Sequence, residues 1–243
     1  MAFNWQTFRI RTLTAAVFVA IMLTGLLWNF WSFLILFSVI HFGCWWEYIK
    51  LLRKIYSNKY LPYVFTGLIY ITIPVLMHLS LYNASIYNLN HSWDCFNPVH
   101  KTYDFTSSIP IESNRSILII FSLWLNDTLA YLIGSMIGKT PFSKISPKKT
   151  WEGTLGGIIS TAIISALIAK LYLGFFYKPW IIISLVAAVF GTIGDLFESK
   201  LKRMANVKDS GTLMPGHGGF LDRFDSLLFA TPFVWLYIQF LLK

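Results

Sequence analysis

Apolar residues occur in long runs along most of this chain, and polar residues are largely confined to the segments between the runs. The runs predict helices at about 13–28, 31–49, 61–81, 116–138, 154–173, 180–197 and 226–242. A helix needs about 20 mainly apolar residues to cross the hydrocarbon core of a bilayer. The pattern therefore predicts an all-α, polytopic transmembrane helical bundle of about seven spans.

The amino-acid composition also predicts that the protein is surrounded by lipid. Hydrophobic residues make up 56% of the 243 residues and charged residues only 13%, which excludes a water-soluble globular protein. The first run starts at Leu13 after two arginines, but no small-residue cleavage site follows, so we expect a retained span rather than a signal peptide. We expect one integral membrane domain over 1–243, with N-terminal spans and a polar external loop (82–115) over 1–115 and a motif-bearing catalytic half over 116–243.

Lysine and arginine are distributed unevenly between the predicted connections. With the N-terminus inside, fifteen basic residues lie on the inner side and four on the outer side. Basic residues near the ends of spans are retained in the cytoplasm, so the connection between the last two spans is predicted to be cytoplasmic. The formal net charge of +9 also makes that surface attractive to anionic lipids and nucleotides. No soluble basic domain is evident, so nucleic acid is not an expected partner.

Two predicted spans contain polar residues at membrane depth. Asn126 and Asp127 interrupt the fourth span, and Asp195 lies near the cytoplasmic end of the sixth. An aspartate near the centre of a spanning helix costs about 2.5–3.5 kcal/mol on insertion scales. An interhelical hydrogen bond, or for Asp195 contact with interfacial water, would explain these residues structurally. For Asp195 this interpretation and a functional one are both open.

Glycine recurs on both sides of the connection between the fourth and fifth spans. The residues concerned are Gly134, Gly138, Gly153, Gly156 and Gly157. Glycine lets helix backbones approach closely in membranes, and it also marks broken helices at binding sites. The pattern predicts a close helix approach or a break near a site.

The segment between the last two predicted spans, residues 198–226, contains nine charged residues, a histidine and four glycines. Its glycines allow backbone N–H groups to turn toward phosphate oxygens. Its basic side chains can bind phosphate, and its aspartates supply the hard oxygen ligands that Mg²⁺ prefers. The residues are Lys202, Arg203, Lys208, Asp209, Gly211, Gly216, Gly218, Gly219, Asp222, Arg223 and Asp225. Together they predict metal-assisted phosphoryl or nucleotidyl transfer.

At these residues the sequence resembles the phosphatidate cytidylyltransferase family, also called CDP-diacylglycerol synthases. The family pattern S-x-x-K-R-x4-K-D, followed by P-x-H-G-G-x-x-D-R-x-D, is met by Ser199, Lys202, Arg203, Lys208, Asp209, Pro215, His217, Gly218, Gly219, Asp222, Arg223 and Asp225. Two further stretches, beginning at Asn126 and at Ser146, look like family elements. The resemblance covers roughly the C-terminal half of the chain.

The resemblance implies transfer of the cytidylyl group of CTP to phosphatidate, with release of pyrophosphate, in phospholipid biosynthesis. It also implies a requirement for Mg²⁺, with K⁺ associated with such a site. Asp195 and Asp222 match the acidic positions that hold the metal. The implied catalytic residues are Asp195, Asp222, Lys202, Arg203, Lys208, Asp209, His217, Arg223 and Asp225, and the implied substrate-binding residues are Asn126, Asp127, Lys148, Lys149, Ser199, Gly218 and Gly219.

Some roles and two other functions stay open at this stage. His217 would orient a carboxylate or phosphate, or serve as a neutral hydrogen-bond donor, while Lys148 and Lys149 would bind nucleotide phosphates or only the membrane surface. A CTP-dependent lipid or polyprenol kinase would use similar parts but transfer the γ-phosphoryl group. An ion or proton transporter would use Asp127 and Asp195 as a relay, which leaves the glycine and histidine segment unexplained.

The expected location is the inner (plasma) membrane of the cell, with several spans and the active site facing the cytoplasm. That placement follows from the basic residues on the inner side. Membrane lipids, CTP and phosphatidate are the expected partners, and a homodimer is left open.

Overall fold

The computed structural model describes residues 5–92, 115–173, 178–211 and 218–241. Within these ranges the chain is helical, apart from its connections and an isolated bridge between Pro141 and Thr150. The helices are α1 (Trp5–Leu27), α2 (Phe30–Tyr56), α3 (Leu61–Val64), α4 (Ile73–Ser92), α5 (Arg115–Ile137), α6 (Trp151–Leu173), α7 (Lys178–Met204) and α8 (Leu221–Leu236). A 3-10 turn (Ser57–Lys59) follows α2, and π-helical turns precede α4 (Leu68–Thr72) and follow α8 (Tyr237–Leu241). The all-α prediction is confirmed.

Most of the apolar surface of these helices faces outward. Six segments of the described chain are long and apolar enough to cross a membrane, namely Phe30–Lys59, Leu61–Tyr82, Arg115–Ile137, Trp151–Leu171, Lys178–Met204 and Leu221–Leu241. The apolar part of α1, Thr12–Leu27, is shorter. Only 28 to 50% of the most apolar window of each segment is buried within the protein. Apolar exposure on this scale is unfavourable in water and suits hydrocarbon, so the chain is a multi-pass membrane protein.

Several helices extend beyond the apolar runs that predict them. The hydrophobic pattern ends the sixth span at 197, but α7 continues to Met204, so Asp195 lies inside this helix and not at its end. The last helix begins at Leu221 rather than 226, and α4 continues to Ser92, into the predicted external loop. Hydrophobicity misses these ends because a helix can continue past the apolar layer with polar side chains. The rest of that loop, 93–114, lies outside the described residues.

α8 is the most enclosed of the candidate spans, with half of its apolar window buried. It packs against α7, α4, α2 and α5, and its side chains contribute to one hydrophobic core with those helices. Around it, α5 pairs with α6, α6 with α7, and α1 with α2. The helix that begins with the Asp222 motif is therefore held from several sides.

Glycine sets two of the helix contacts. A Cβ at Gly153 of α6 would lie 2.6 Å from the carbonyl oxygen of Ala130 in α5. A Cβ at Gly194 of α7 would lie 2.6 Å from the Cβ of Phe229 and 2.8 Å from the carbonyl oxygen of Asp225, both in α8. Neither position has room for a side chain, because backbone or Cβ atoms cannot move aside as a flexible side chain can. The predicted close approach of helices is confirmed.

Candidate active site

Two pairs of acidic residues face each other across the contact between α7 and α8. Asp195 and Glu198 are one turn apart on α7, and Asp222 and Asp225 are one turn apart on α8, so each pair lies on one face of its helix. The close approach at Gly194 brings the two faces together. Asp195, Glu198 and Asp225 each offer a carboxylate oxygen, and these oxygens lie within 4.8 Å of one another. We call these three residues the carboxylate group.

The carboxylate group is largely removed from solvent. Glu198 is fully buried and Asp225 is 6% exposed. Apart from the ion pair with Lys202, neither carboxylate oxygen of Glu198 has a hydrogen-bond partner among the described residues. Asp225 accepts a 2.6 Å hydrogen bond from the backbone N–H of Ser226. Buried charges of one sign require compensation, and three carboxylates form the hard-oxygen donor set that a divalent cation such as Mg²⁺ prefers. The residues fit such a cation.

Lys202 links the carboxylate group to Asp222. Its ammonium pairs with Glu198, four residues earlier on α7, and donates to Asp222 Oδ1 at 2.6 Å. The other oxygen of Asp222 accepts from the backbone N–H groups of Ser210 (2.9 Å) and Gly219 (2.8 Å). Asp222 thus bonds to both described ends of the connection between α7 and α8 and holds them together.

The structure does not group the predicted metal residues Asp195 and Asp222 directly. Asp225 and Glu198 are the carboxylates within ligand distance of Asp195, and Asp222 lies outside that group on the far side of Lys202. The role of Asp222 as a metal ligand stays a prediction. Sequence reasoning named Asp225 but did not single out Glu198. The available signal was spacing, since Glu198 follows Asp195 by three residues and precedes Lys202 by four.

A polar cleft of about 470 Å³ opens beside Asp195. It brings together stretches that are far apart in sequence, and its polar lining consists of Asn126, Asp127, Tyr131, Ser135, Ser146, Lys148, Lys149, Thr150, Thr154, Thr192 and Asp195. The ammonium of Lys149 pairs with Asp195 Oδ2, and Ser199 Oγ donates to Asp195 Oδ1 at 3.3 Å. Asn126 Nδ2 donates to Thr192 Oγ1 at 3.3 Å, which confirms the interhelical hydrogen bond for Asn126. Asp127 instead faces the cleft.

The α5–α6 connection, which carries the two cleft lysines, is held by Glu152 in the first turn of α6. Its carboxylate accepts hydrogen bonds from the backbone N–H groups of Lys139 and Thr140, each at 3.2 Å, and from Thr140 Oγ1 at 2.8 Å. The backbone N–H of Phe142 donates to the carbonyl of Lys149 at 2.8 Å. The connection is therefore ordered where it meets the cleft, and Lys149 is directed at Asp195.

The other predicted site residues lie on α7, on α8 and in the connection between them. The side chains of Arg203, Lys208, Asp209 and Arg223 are exposed, and Gly218 has a φ of +83°, which favours glycine. A Cβ at Gly218 would lie 2.6 Å from Asp222 Oδ2. His217 lies outside the described residues.

Comparison with known proteins identifies the family to which the sequence is similar. The sequence matches the Cytidylyltransferase family over residues 101–241. It is 46% identical over 117 residues to a phosphatidate cytidylyltransferase of Bacillus subtilis (strain 168), an alignment that covers 46% of this chain and 43% of that protein. It is 47% identical over 126 residues to a phosphatidate cytidylyltransferase of Staphylococcus aureus (strain COL), covering 50% of this chain and 48% of that protein. The chain spans about half the length of the relatives that it matches.

Proposed function

Because the chain belongs to the cytidylyltransferase family, we propose that it transfers the cytidylyl group of CTP to phosphatidate, giving CDP-diacylglycerol and pyrophosphate. The observation that supports this most directly is the carboxylate group, flanked by Lys149 and Lys202, at the wall of a polar cleft within a membrane bundle. The relatives named phosphatidate cytidylyltransferase favour a lipid phosphate as the acceptor.

Mg²⁺ is the cation that we assign to the carboxylate group. Asp195, Glu198 and Asp225 would hold it, and the family resemblance adds Asp222 and an associated K⁺. Mg²⁺ often keeps several waters and takes substrate phosphates as further ligands. When bound, it neutralises charge on the reacting phosphates.

The polar cleft is the proposed site for CTP. Its volume of about 470 Å³ falls in the usual range of roughly 300–1,000 Å³ for small-molecule sites. Lys148 and Lys149 would contact the triphosphate, with Lys149 exchanging part of its contact with Asp195 for phosphate oxygens. Polar groups on α5 would contact the rest of the nucleotide, so CTP would lie against the carboxylate group.

In the proposed reaction a phosphate oxygen of phosphatidate attacks the α-phosphorus of CTP in line with the leaving group. A new P–O bond forms, the bond from the α-phosphorus to the bridging oxygen breaks, and pyrophosphate leaves with the electron pair of that bond. A phosphate monoester has a second pKa near about 6, so the nucleophile is already largely dianionic at neutral pH and needs no general base. The residues of the site then act by positioning and by neutralising charge.

A groove on the outward face of α2 is the proposed site for an acyl chain of phosphatidate. Its volume is about 1030 Å³, and it runs from Trp31 past Val39 and Phe42 to Trp46, ending at Lys50 and the α7–α8 connection. The fifteen rises of about 1.5 Å between Trp31 and Trp46 span about 22 Å, close to the length of an extended acyl chain. The groove is lined mainly by apolar side chains, and Lys50 gives its end a positive charge that suits a lipid phosphate.

We also propose that the site faces the cytoplasm. The contacts of Glu47 in α2 with Ser210 and of Lys149 with Asp195 bring the basic end of α2, the α5–α6 connection and the α7–α8 connection to one end of the bundle. The predicted inner-side basic residues of these segments therefore share one side, which favours cytoplasmic placement. The bacterial origin of the relatives favours a plasma membrane.

The reaction is tested with purified protein in detergent, phosphatidate and CTP labelled at either the α- or the γ-phosphate. Label from the α-phosphate should enter the lipid, no label from the γ-phosphate should do so, and EDTA should abolish incorporation. Lipid labelled from γ-phosphate would indicate a kinase. Ion flux in proteoliposomes without CTP, together with no incorporation, would indicate a transporter.

The groove is tested by Val39→Trp, with the outward-facing Ile163→Trp on α6 as the matched control. Val39→Trp should raise KM for phosphatidate and leave KM for CTP unchanged, because it fills the groove but not the cleft. Equal KM values for phosphatidate in the two variants would show that the groove does not bind the lipid substrate.

A further inference from the structure

Glu47 is a buried acidic residue that the proposed reaction does not use. It lies in α2, is 4% exposed, and is the only acidic residue before Asp94. Its side chain points at the connection between α7 and α8, more than 160 residues later in the chain. Sequence reasoning missed it, and a lone acidic residue in a predicted span was the available signal.

Both carboxylate oxygens of Glu47 are bonded to that connection. Oε1 accepts a 2.9 Å hydrogen bond from the backbone N–H of Phe220. Oε2 accepts from the backbone N–H of Leu221 at 2.9 Å and from Ser210 Oγ at 2.7 Å. The first N–H groups of a helix have no partners within the helix, and Phe220, at the start of α8, makes no side-chain cap of its own. Glu47 supplies the cap from a distant helix, with a charge that suits the positive end of α8.

The same hydrogen bonds connect Glu47 to Asp222. Ser210 donates its hydroxyl proton to Glu47, while its backbone N–H donates to Asp222 Oδ2 at 2.9 Å. Ser210 Oγ lies 2.7 Å from Glu47 Oε2 and 2.9 Å from Asp222 Oδ2. A hydroxyl carries one proton, and donating it along the shorter contact, to Glu47, leaves the Ser210 oxygen able to accept from the backbone N–H of Asp222 at 3.3 Å. Glu47, Ser210 and Asp222 thus form one network that ends at Lys202 and the carboxylate group.

Two glycines of the connection are explained by Glu47. A Cβ at Gly211 or at Gly219 would overlap the Glu47 carboxylate. The backbone N–H of Gly219 donates to Asp222 and not outward. At these two positions glycine makes room for the Glu47 carboxylate. The sequence predicts a different role, in which glycine lets backbone N–H groups turn toward phosphate oxygens.

We propose that Glu47 is a positioning residue for the catalytic centre: it holds the start of α8 and Ser210, and through them sets the positions of Asp222 and Asp225. This rests on the proposed function for its effect on catalysis, but the positioning itself is a property of the protein without substrate. Residues that orient metal ligands typically change metal affinity or activity by about 10- to 100-fold when replaced.

The test compares Glu47→Gln, Glu47→Asp and, as the matched control, Cys44→Ala, a buried change one turn earlier in α2 at a free thiol that has no hydrogen bond to the described part of the connection. Glu47→Gln turns an amide donor toward backbone donors, so it should weaken Mn²⁺ binding, measured by electron paramagnetic resonance, and lower kcat, each by about 10- to 100-fold. Glu47→Asp should recover part of both losses. Hydrogen exchange should accelerate at 219–221 in Glu47→Gln and stay unchanged in α6.

Cys44→Ala should lower the unfolding temperature while leaving Mn²⁺ affinity and kcat of the folded protein unchanged. If Glu47→Gln behaves like Cys44→Ala, Glu47 is only a packing residue and the proposal fails. If the wild-type protein makes no CDP-diacylglycerol, the proposed function fails, and Mn²⁺ binding with hydrogen exchange still decides whether Glu47 positions the carboxylate group.

Discussion

Asp225→Asn is expected to make the metal-free protein more stable while making the reaction much slower. The three oxygens of the carboxylate group lie within 4.8 Å of one another. At 4.8 Å two unit negative charges repel by about 3.5 kcal/mol for an effective dielectric constant of about 20. For three ionised carboxylates, removing the charge of Asp225 eliminates two of the three repulsions, a gross relief of about 7 kcal/mol.

Nearby cations reduce this relief. Lys202 pairs with Glu198 and Lys149 pairs with Asp195, so part of the repulsion is already offset. Replacing buried charges by neutral groups of similar shape often stabilises a protein by about 1–4 kcal/mol. We expect a gain of about 1–3 kcal/mol in the free energy of unfolding in EDTA.

Bound Mg²⁺ should cancel or reverse this difference in stability. A ligand present at about 100 times its Kd stabilises the folded state by about 2.7 kcal/mol. The wild-type protein should gain this stability, and Asp225→Asn should gain little because its carboxylate group is incomplete. The wild type therefore becomes as stable as the variant, or more stable, only when Mg²⁺ is present.

The assay is thermal unfolding of the purified protein in detergent, in EDTA and in Mg²⁺, beside incorporation of label from the α-phosphate of CTP. Asp209→Asn is the matched control for stability, because Asp209 is exposed and outside the carboxylate group. It should leave the unfolding temperature in EDTA unchanged. The reasoning is refuted if Asp225→Asn unfolds at a lower temperature than wild type in EDTA and gains as much from Mg²⁺.

Three further predictions concern the neighbours of this group. Asp222→Asn should lower incorporation of label by about 100-fold with membrane insertion intact, and wild-type turnover in this variant would exclude Asp222 from the site. If Asp195 and Asp222 share a metal, the loss in the double variant with Asp195→Asn should be far from additive. Lys149→Met should raise KM for CTP more than KM for phosphatidate, and an equal effect of Lys144→Met would show that only general surface charge matters. A cysteine at Asn206, with Cys44 and Cys95 replaced, should react with an impermeant thiol reagent only after the inner membrane is opened, whereas one at Asn90 should react in intact cells; external labelling at Asn206 would reverse the orientation.

Much of the fold follows from the sequence because membrane spans are specified locally. A run of apolar residues such as 116–138 indicates a helix wherever its neighbours lie, since hydrocarbon requires every backbone polar group to be bonded within the segment. Glycines such as Gly153 and Gly194 indicate close contacts between helices, because the absence of a side chain is a property of the residue itself. The Asp222 segment could be related to its chemistry because its residue types and spacing are characteristic of a family.

Only the tertiary structure decided which charges meet. The sequence predicts Asp195 near a helix end, and the family resemblance implies that it holds a metal with Asp222. The extension of α7 to Met204 instead places Asp195 next to Glu198 and Asp225, with Lys202 between that group and Asp222. Glu47 contacts Ser210 across 163 positions of sequence. Spacing along a helix sets which residues share a face, whereas distances between helices depend on how closely their backbones pack. The sequence alone therefore determined the helices and the class of chemistry, and packing determined the composition of the carboxylate group and the role of a helix from the other half of the chain.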